Sequence, residues 1–298
     1  MAKIVGVTLS ERVVAGLVVD HKLSGPLCTF PEAHDDEYAL VEMPTEAIVR
    51  TLCEQVMLAA NGERDLAAVG IGLPGLIRHG VVEEAPNLPQ LKGARIGELL
   101  TAALRAQGVK SPVTLINDAD GFAAGLAATH GKLDTVIRVW TLGVGIGYGR
   151  YPFSDGVWEG GHTVVTLDEK ERFCGCGGRG HLEGIMGHRA MRLRFLDMEP
   201  EEVFEAARGG DARCMEFKKL WHTALAGATA TSIHLRGPGK FFLAGFNVRF
   251  VDMPMLKDLL HQMIKMSPLQ SYSIEIIEDD LETRVIGAAV SAEFFLPR

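Results

Sequence analysis

Residues 159–183 read EGGHTVVTLDEKERFCGCGGRGHLE. Thiolate sulfur and imidazole nitrogen are the ligands zinc prefers, four at a time and tetrahedrally. His162, Cys174, Cys176 and His181 supply both types within this one stretch. The glycines among them let a C-x-C pair and a nearby histidine turn inward onto one ion. The same spacing is compatible with reduced surface cysteines beside unrelated histidines, and with a redox-active pair formed by Cys174 and Cys176. Glu159 and Glu183 bracket the stretch and, on composition alone, are solvent-facing loop charges.

The chain has 298 residues, 47 % hydrophobic and 23 % charged, the balance of a globular protein with a sizeable core. Its formal net charge of −8 comes with no Lys/Arg-dense run, which argues against binding a nucleic-acid backbone. The start, MAKIVGVTLSERVV, lacks a signal-peptide pattern, and no apolar run reaches the roughly 18 residues of a membrane span. Five cysteines with one close pair do not make a disulfide framework. The expected compartment is the cytoplasm, with no membrane or nucleic-acid partner.

Outward from the opening stretch, two segments share a plan. KIVGVTL–SER–VVAGLVVD near the start and TVIRVWTL–GVGIGYG–RYPF from Thr135 both read as strand, turn, strand. A hairpin opening each half predicts a duplicated α/β architecture with a cleft between the halves. Helices are expected at about 45–61, 95–107, 181–229 and 253–266, in ADGFAAGLAATHG and in LETRVIGAAVSAEFF. Strands are expected in LAAVGIGLPGLI, PVTLIND, KFFLAGF and SIEII. The domains expected from this pattern are 1–117 with 283–298 returning to it, and 118–282.

EGGH followed by CGCGGRGHLE resembles the signature of the ROK family, bacterial sugar kinases and sugar-responsive repressors, with His181 standing where the family usually has a cysteine. GIGLPGLI with EEAPNLPQLKG, LINDADGFAAG and VIGAAVSA extend the resemblance along nearly the whole chain. It implies a two-domain actin-like, hexokinase-type ATPase fold (ribonuclease H-like), and a glucokinase-like transferase of carbohydrate metabolism. It further implies structural Zn2+ on His162, Cys174, Cys176 and His181, and a hexose or amino-sugar substrate. Asn87, Asn117, Asp118, Glu159, His162 and Glu183 match the family's sugar-binding positions. His162 would bind zinc through one ring nitrogen and face a sugar hydroxyl with the other. Dimers are common in the family, so a homodimer is expected. The first strand starts without room for a helix-turn-helix, which sets the repressor branch aside.

Asp118 is the candidate general base, at a strand-to-helix junction where the alternative role for an acid is a helix N-cap. On the nucleotide side, the resemblance implies ATP and Mg2+ near Thr8, Arg12, Gly143, Gly145, Gly147 and Gly245. That side departs from the family. TLSER (8–12) stands where the family has D-x-G-G-T, Val144 replaces a threonine, and Phe246 and Asn247 follow Gly245 in place of glycines. A carboxylate such as Glu11 at about 4 Å from a phosphate costs roughly 4 kcal/mol at an effective dielectric near 20. Two readings therefore stand: an ATP-dependent hexose kinase, and a catalytically impaired protein that binds sugar and zinc but not ATP and acts as a sensor or assembly partner.

Overall fold

The computed structural model describes residues 2–32, 39–130, 133–153, 156 and 158–296. The chain forms two compact units: Met1–Ile137 with Gly149–Val157 and Asp279–Arg298, and Arg138–Tyr148 with Trp158–Glu278.

In the first unit, β1 (Lys3–Leu9) and β2 (Val13–Val19) pair antiparallel from Lys3↔Val19 to Leu9↔Val13, leaving Ser10–Arg12 as the turn. β3 (Lys22–Leu23) and β4 (Cys28–Phe30) add to β2. Helices α1 (Ala39–Glu42) and α2 (Thr45–Ala60) lead to β5 (Ala68–Leu73), parallel to β1. A hairpin of β6 (Leu76–Arg78) and β7 (Val81–Glu84) and then α3 (Ile96–Ala106) precede β8 (Val113–Asn117), parallel to β5. The sheet order is β3-β2-β1-β5-β8. Beyond the exposed Lys3, β1 and all of β5 are buried along their length because both faces are covered, the pattern of strands central to a sheet flanked by helices. Ile48, Leu52 and Val56 of α2 and Leu100 and Leu104 of α3 pack into the core on one side.

On the other side lie α4 (Asp118–His130) and, from the chain's end, α10 (Leu281–Phe294). The last residue of the helix expected in this region, Gly131, lies outside the described residues. A Cβ on Gly287 would sit 1.9 Å from the Gly121 carbonyl oxygen, and one on Gly125 would sit 2.0 Å from that of Thr283. Only hydrogen fits at either point, so the two helices meet backbone to backbone. The boundary expected near residue 118 therefore falls differently, since α4 belongs with the sheet and α10 rather than with the second unit.

A second sheet is formed by β9 (Ile137–Leu142), β10 (Ile146–Tyr151), β11 (Lys240–Ala244) and β12 (Ser273–Ile276), in the order β10-β9-β11-β12, all within the second unit except Ile137 and the Gly149–Tyr151 end of β10. The single helical region expected over 181–229 is four helices: α5 (Leu182–Met186), α6 (His188–Arg194), α7 (Pro200–Arg208) and α8 (Ala212–Arg236), with α9 (Met253–Met263) after β11. The breaks have local causes. Glu199 and Glu202 form a capping box with Pro200 at the first helical position, and the Asp211 side chain accepts the Cys214 amide to start α8. Trp140, Phe204, Phe217, Trp221 and Phe250 fill the core, with Phe204 and Phe250 stacked 4.4 Å apart. Among the described residues no helix is long and apolar enough to cross a membrane.

Two glycine-to-alanine changes should act with opposite sign. Gly287→Ala forces α10 off α4 and is expected to cost about 1–3 kcal/mol. Gly227, inside α8 with open space around its missing side chain, should gain about 0.5–1 kcal/mol as alanine. Urea unfolding of both variants against the parent checks the pair.

Candidate functional site

The first unit presents Asp118 at the first position of α4, just beyond β8. The cap at this junction is made by Asn117, not by Asp118. Asn117 Oδ1 accepts the amides of Ala119 (2.9 Å) and Asp120 (3.3 Å), while its Nδ2 donates to the Gly75 carbonyl (2.9 Å). Asn117 is thereby tied into the backbone at the start of the helix. The Asp118 side chain is 25 % exposed, and its Oδ2 accepts from Arg284 Nη1 at 3.4 Å. Burial pushes the Asp118 carboxyl above the usual carboxylate range, against the pull of the Arg284 guanidinium. Thr8 is buried within β1, Arg12 closes the first hairpin turn by accepting the Ser10 amide at its carbonyl (3.1 Å), and Asn87 lies exposed in the turn after β7.

In the second unit the opening stretch folds back on itself. Its arms are joined by backbone hydrogen bonds from Val165 to Gly180 (2.8 Å) and from Leu182 to Thr163 (2.9 Å). This closure gathers the four residues of the Cys/His set, whose ligand atoms all lie within 4.8 Å of one another. Cys174 Sγ is 3.4 Å from both Cys176 Sγ and His162 Nδ1, and His181 Nδ1 is 3.3 Å from both Cys176 Sγ and His162 Nδ1. A tetrahedron with bonds of about 2.0–2.3 Å has edges of about 3.3–3.8 Å, so the donor set fits zinc in kind and spacing. Burial pushes the Cys174 thiol up to about 12, opposite to the lowered value of a redox-reactive cysteine, whereas a coordinated cation would remove that proton outright. His162 turns Nδ1 to the cluster and Nε2 outward, 4.0 Å from Glu159 Oε2.

Glu183 connects this cluster to the glycine-rich turn between β9 and β10. Its Oε1 accepts the Cys174 thiol at 3.5 Å and its Oε2 accepts the Ile146 amide at 3.1 Å. A Cβ on Gly145 would stand 2.6 Å from Oε2, so a side chain there would push the carboxylate aside. Gly143 donates its amide to Gly145 O within the turn (3.0 Å), and Gly147 lies in β10. Gly245 has φ +90° and ends β11, and after it Phe246 approaches the missing side-chain position of Gly143 to 3.5 Å. Buried Asn247 donates to the Gly143 carbonyl (3.0 Å), and its Oδ1 lies 3.2 Å from His188 Nδ1. A second grouping, His188 with Glu199 and Glu201, is unlike the first: its carboxylates are exposed and pair with Arg192 and Arg249.

Sequence reasoning missed Arg284 and Asp279 beside Asp118, and the Asn247–His188 pair behind the turn. The acidic run EDD (278–280) just ahead of LETR was the available signal for the first.

A duplicated α/β arrangement opened by paired hairpins, with a strand-end aspartate in one unit and a glycine-rich turn in the other, defines an actin-like ATPase fold. The structure of a ROK hexokinase from Thermus thermophilus matches 98 % of both chains with a TM-score of 0.79 at 23 % identity. That of a ROK glucokinase from Streptomyces griseus, in complex with glucose and AMPPNP, matches 98 % of this chain and 100 % of its own with a TM-score of 0.66 at 21 % identity. A glucokinase from Pyrobaculum calidifontis is 30 % identical over 76 % of this chain and 79 % of its own length. The ROK family profile matches residues 32–292, and the chain belongs to the ROK family.

The raised carboxyl of Asp118 has a consequence for stability. With its folded value above the unfolded one, its contribution is present at low pH and lost as pH rises through the folded value. Asp118→Asn should therefore unfold at higher urea than the parent at pH 7–8, the gap closing below about pH 4.

Proposed function

We infer that the protein is a sugar kinase that transfers the γ-phosphoryl group of ATP to a hexose hydroxyl. The observation that carries this reading is the two-sided imidazole of His162, with one nitrogen in the Cys/His cluster and the other facing outward beside Glu159. A ring held in that way has a fixed tautomer and direction, the condition for reading a hydroxyl rather than merely touching one. Membership of the ROK family and the kinases among its relatives point to the same class.

In this reading Asp118 accepts the proton of the reacting hydroxyl, Glu159 and Glu183 accept hydrogen bonds from other hydroxyls, and His162, its Nδ1 turned to the cluster, donates Nε2–H to a hydroxyl oxygen. Charged acceptors make the stronger bonds, and each carboxylate keeps lone pairs beyond those already used. Asn87 sits in an exposed turn suited to contact with the sugar. Asn117, with both ends engaged, contributes by fixing the start of α4 and so the place of Asp118. Zinc on His162, Cys174, Cys176 and His181 would pin the loop; all four ligands come from the protein, which leaves it a structural role. ATP with Mg2+ would lie along the 143–147 turn, the metal neutralising phosphate charge. Thr8, Arg12 and Gly245 belong to that side.

A second reading, sugar binding without phosphoryl transfer, is favoured by specific features of the nucleotide side. The Gly143 amide is already spent inside its own turn, Phe246 lies next to that glycine, and Glu11 stands in the first hairpin turn. A coupled assay with zinc-loaded protein, ATP–Mg2+ and a panel of hexoses and amino-sugars separates the two. Turnover with at least one sugar, reduced about 10²–10⁴-fold in Asp118→Asn, is expected. Sugar-dependent thermal stabilisation with no turnover and no response to ATP would establish the second reading instead.

Metal analysis should find one zinc per chain. Cys176→Ala should lower that content and abolish the rise in Tm on adding sugar, while leaving far-ultraviolet circular dichroism near that of the parent.

A further inference from the structure

Arg284 lies one turn into α10 with its side chain 15 % exposed. Its guanidinium is gripped from two directions. Nε and Nη2 donate to Asp279 Oδ1 and Oδ2 at 2.5 and 2.8 Å, a two-pronged pairing, and the planar head lies over the Phe122 ring at 4.7 Å. The third nitrogen, Nη1, reaches Asp118 Oδ2 at 3.4 Å. The anchor is thus Asp279, and Asp118 feels a guanidinium that is already fixed. Only the fork of an arginine supplies both contacts at once, a point a lysine ammonium lacks.

We propose that Arg284 is a positioning residue for Asp118: anchored by Asp279 and Phe122, it keeps the Asp118 carboxylate ionised and occupies one oxygen, leaving the other for the reacting hydroxyl. The proposal rests on the reading of Asp118 as the proton acceptor. A buried carboxylate tends to hold its proton, and a protonated one accepts none from a substrate. The charged groups bearing on Asp118 are Arg284 from α10, which favours the ionised form, and Asp279 ahead of α10, which opposes it. On its own helix Asp120 is turned to the Arg150 amide (2.9 Å), and β5 faces Asp118 with the uncharged Gly72. Beside burial and the Ala119 amide, the charges that can be removed are Arg284 and Asp279, two residues of opposite sign, which gives the test a direction.

Arg284→Met removes the cation and leaves Asp118 facing Asp279. The acidic limb of the kcat/KM–pH profile should move up by about 1–3 pH units, with activity partly recovered at alkaline pH. Asp279→Asn removes the like charge while its amide oxygen still accepts from Arg284, so the guanidinium stays anchored and the limb should move down. Arg284→Lys should restore most of the limb position but not the full kcat. Residues with a merely architectural role would lower activity or stability without shifting the limb in opposite directions.

Titration of the Asp118 carboxyl carbon by NMR in the same proteins reads the effect without catalysis, and so decides the matter even for a protein that transfers no phosphate. Unchanged titration in both Arg284→Met and Asp279→Asn would overturn the proposal. Should Arg284→Met fail to fold, the sign of the Asp279→Asn shift decides alone: a downward shift supports the proposal, and no shift or an upward one overturns it. An active Asp118→Asn would instead overturn the reading of Asp118 and leave the measured electrostatic coupling standing.

Discussion

The first unit depends on how closely α10 can approach α4 and the central strands. Backbone meets backbone where Gly287 faces the Gly121 carbonyl and Gly125 faces that of Thr283. Contact at that range leaves no room for side-chain repacking, so the register of one helix on the other is fixed by hydrogen-sized gaps rather than by interlocking residues. The functional result is indirect. Arg284, on the turn that begins this contact, is delivered to Asp118, and the Asp280 cap on Thr283 fixes where that turn starts. A terminal helix that serves as packing material therefore also sets the charge environment of the candidate base.

The second unit solves a different problem, how to give a glycine-rich loop one shape. Backbone pairing between its arms does part of this, and the convergence of two sulfurs and two nitrogens does the rest. Structural zinc contributes roughly 10–16 kcal/mol in small peptides, far more than a few loop hydrogen bonds supply. With an ion on that set, the loop would hold exposed carboxylates such as Glu159 at a defined place, above the Tyr148 and Trp140 rings that Gly160 lies against.

Much of this was legible in the sequence, for reasons that can be named. Both hairpins, the strands at 68–73, 113–117, 240–244 and 273–276, and the helices flanking them follow from hydrophobic period and turn residues. The Cys/His set was legible because thiols and imidazoles at short spacing are rare enough to stand out. The breaks within 181–236 were not, because capping boxes and Asp caps are weak local signals beside a long run of helix-forming residues. That Asn117 rather than Asp118 makes the cap was not legible for a related reason. Asn and Asp are both good caps, and the choice between neighbours is made by which side chain the Gly75 carbonyl holds. The Asp118–Arg284–Asp279 arrangement joins residues far apart in the chain, so hydrophobic period does not show it and the acidic run ahead of LETR is its one trace.

Glu183 leads furthest. One of its oxygens takes the Cys174 thiol and the other takes the amide that follows the Gly143–Gly145 turn. A single carboxylate thus spans the loop that would grip an acceptor molecule and the turn that would cradle a donor. A pull on one end would be carried to the other, and any coupling that results would by thermodynamic reciprocity be equal in both directions. The two ligands of such a protein would not bind as strangers: the first to arrive sets the welcome of the second.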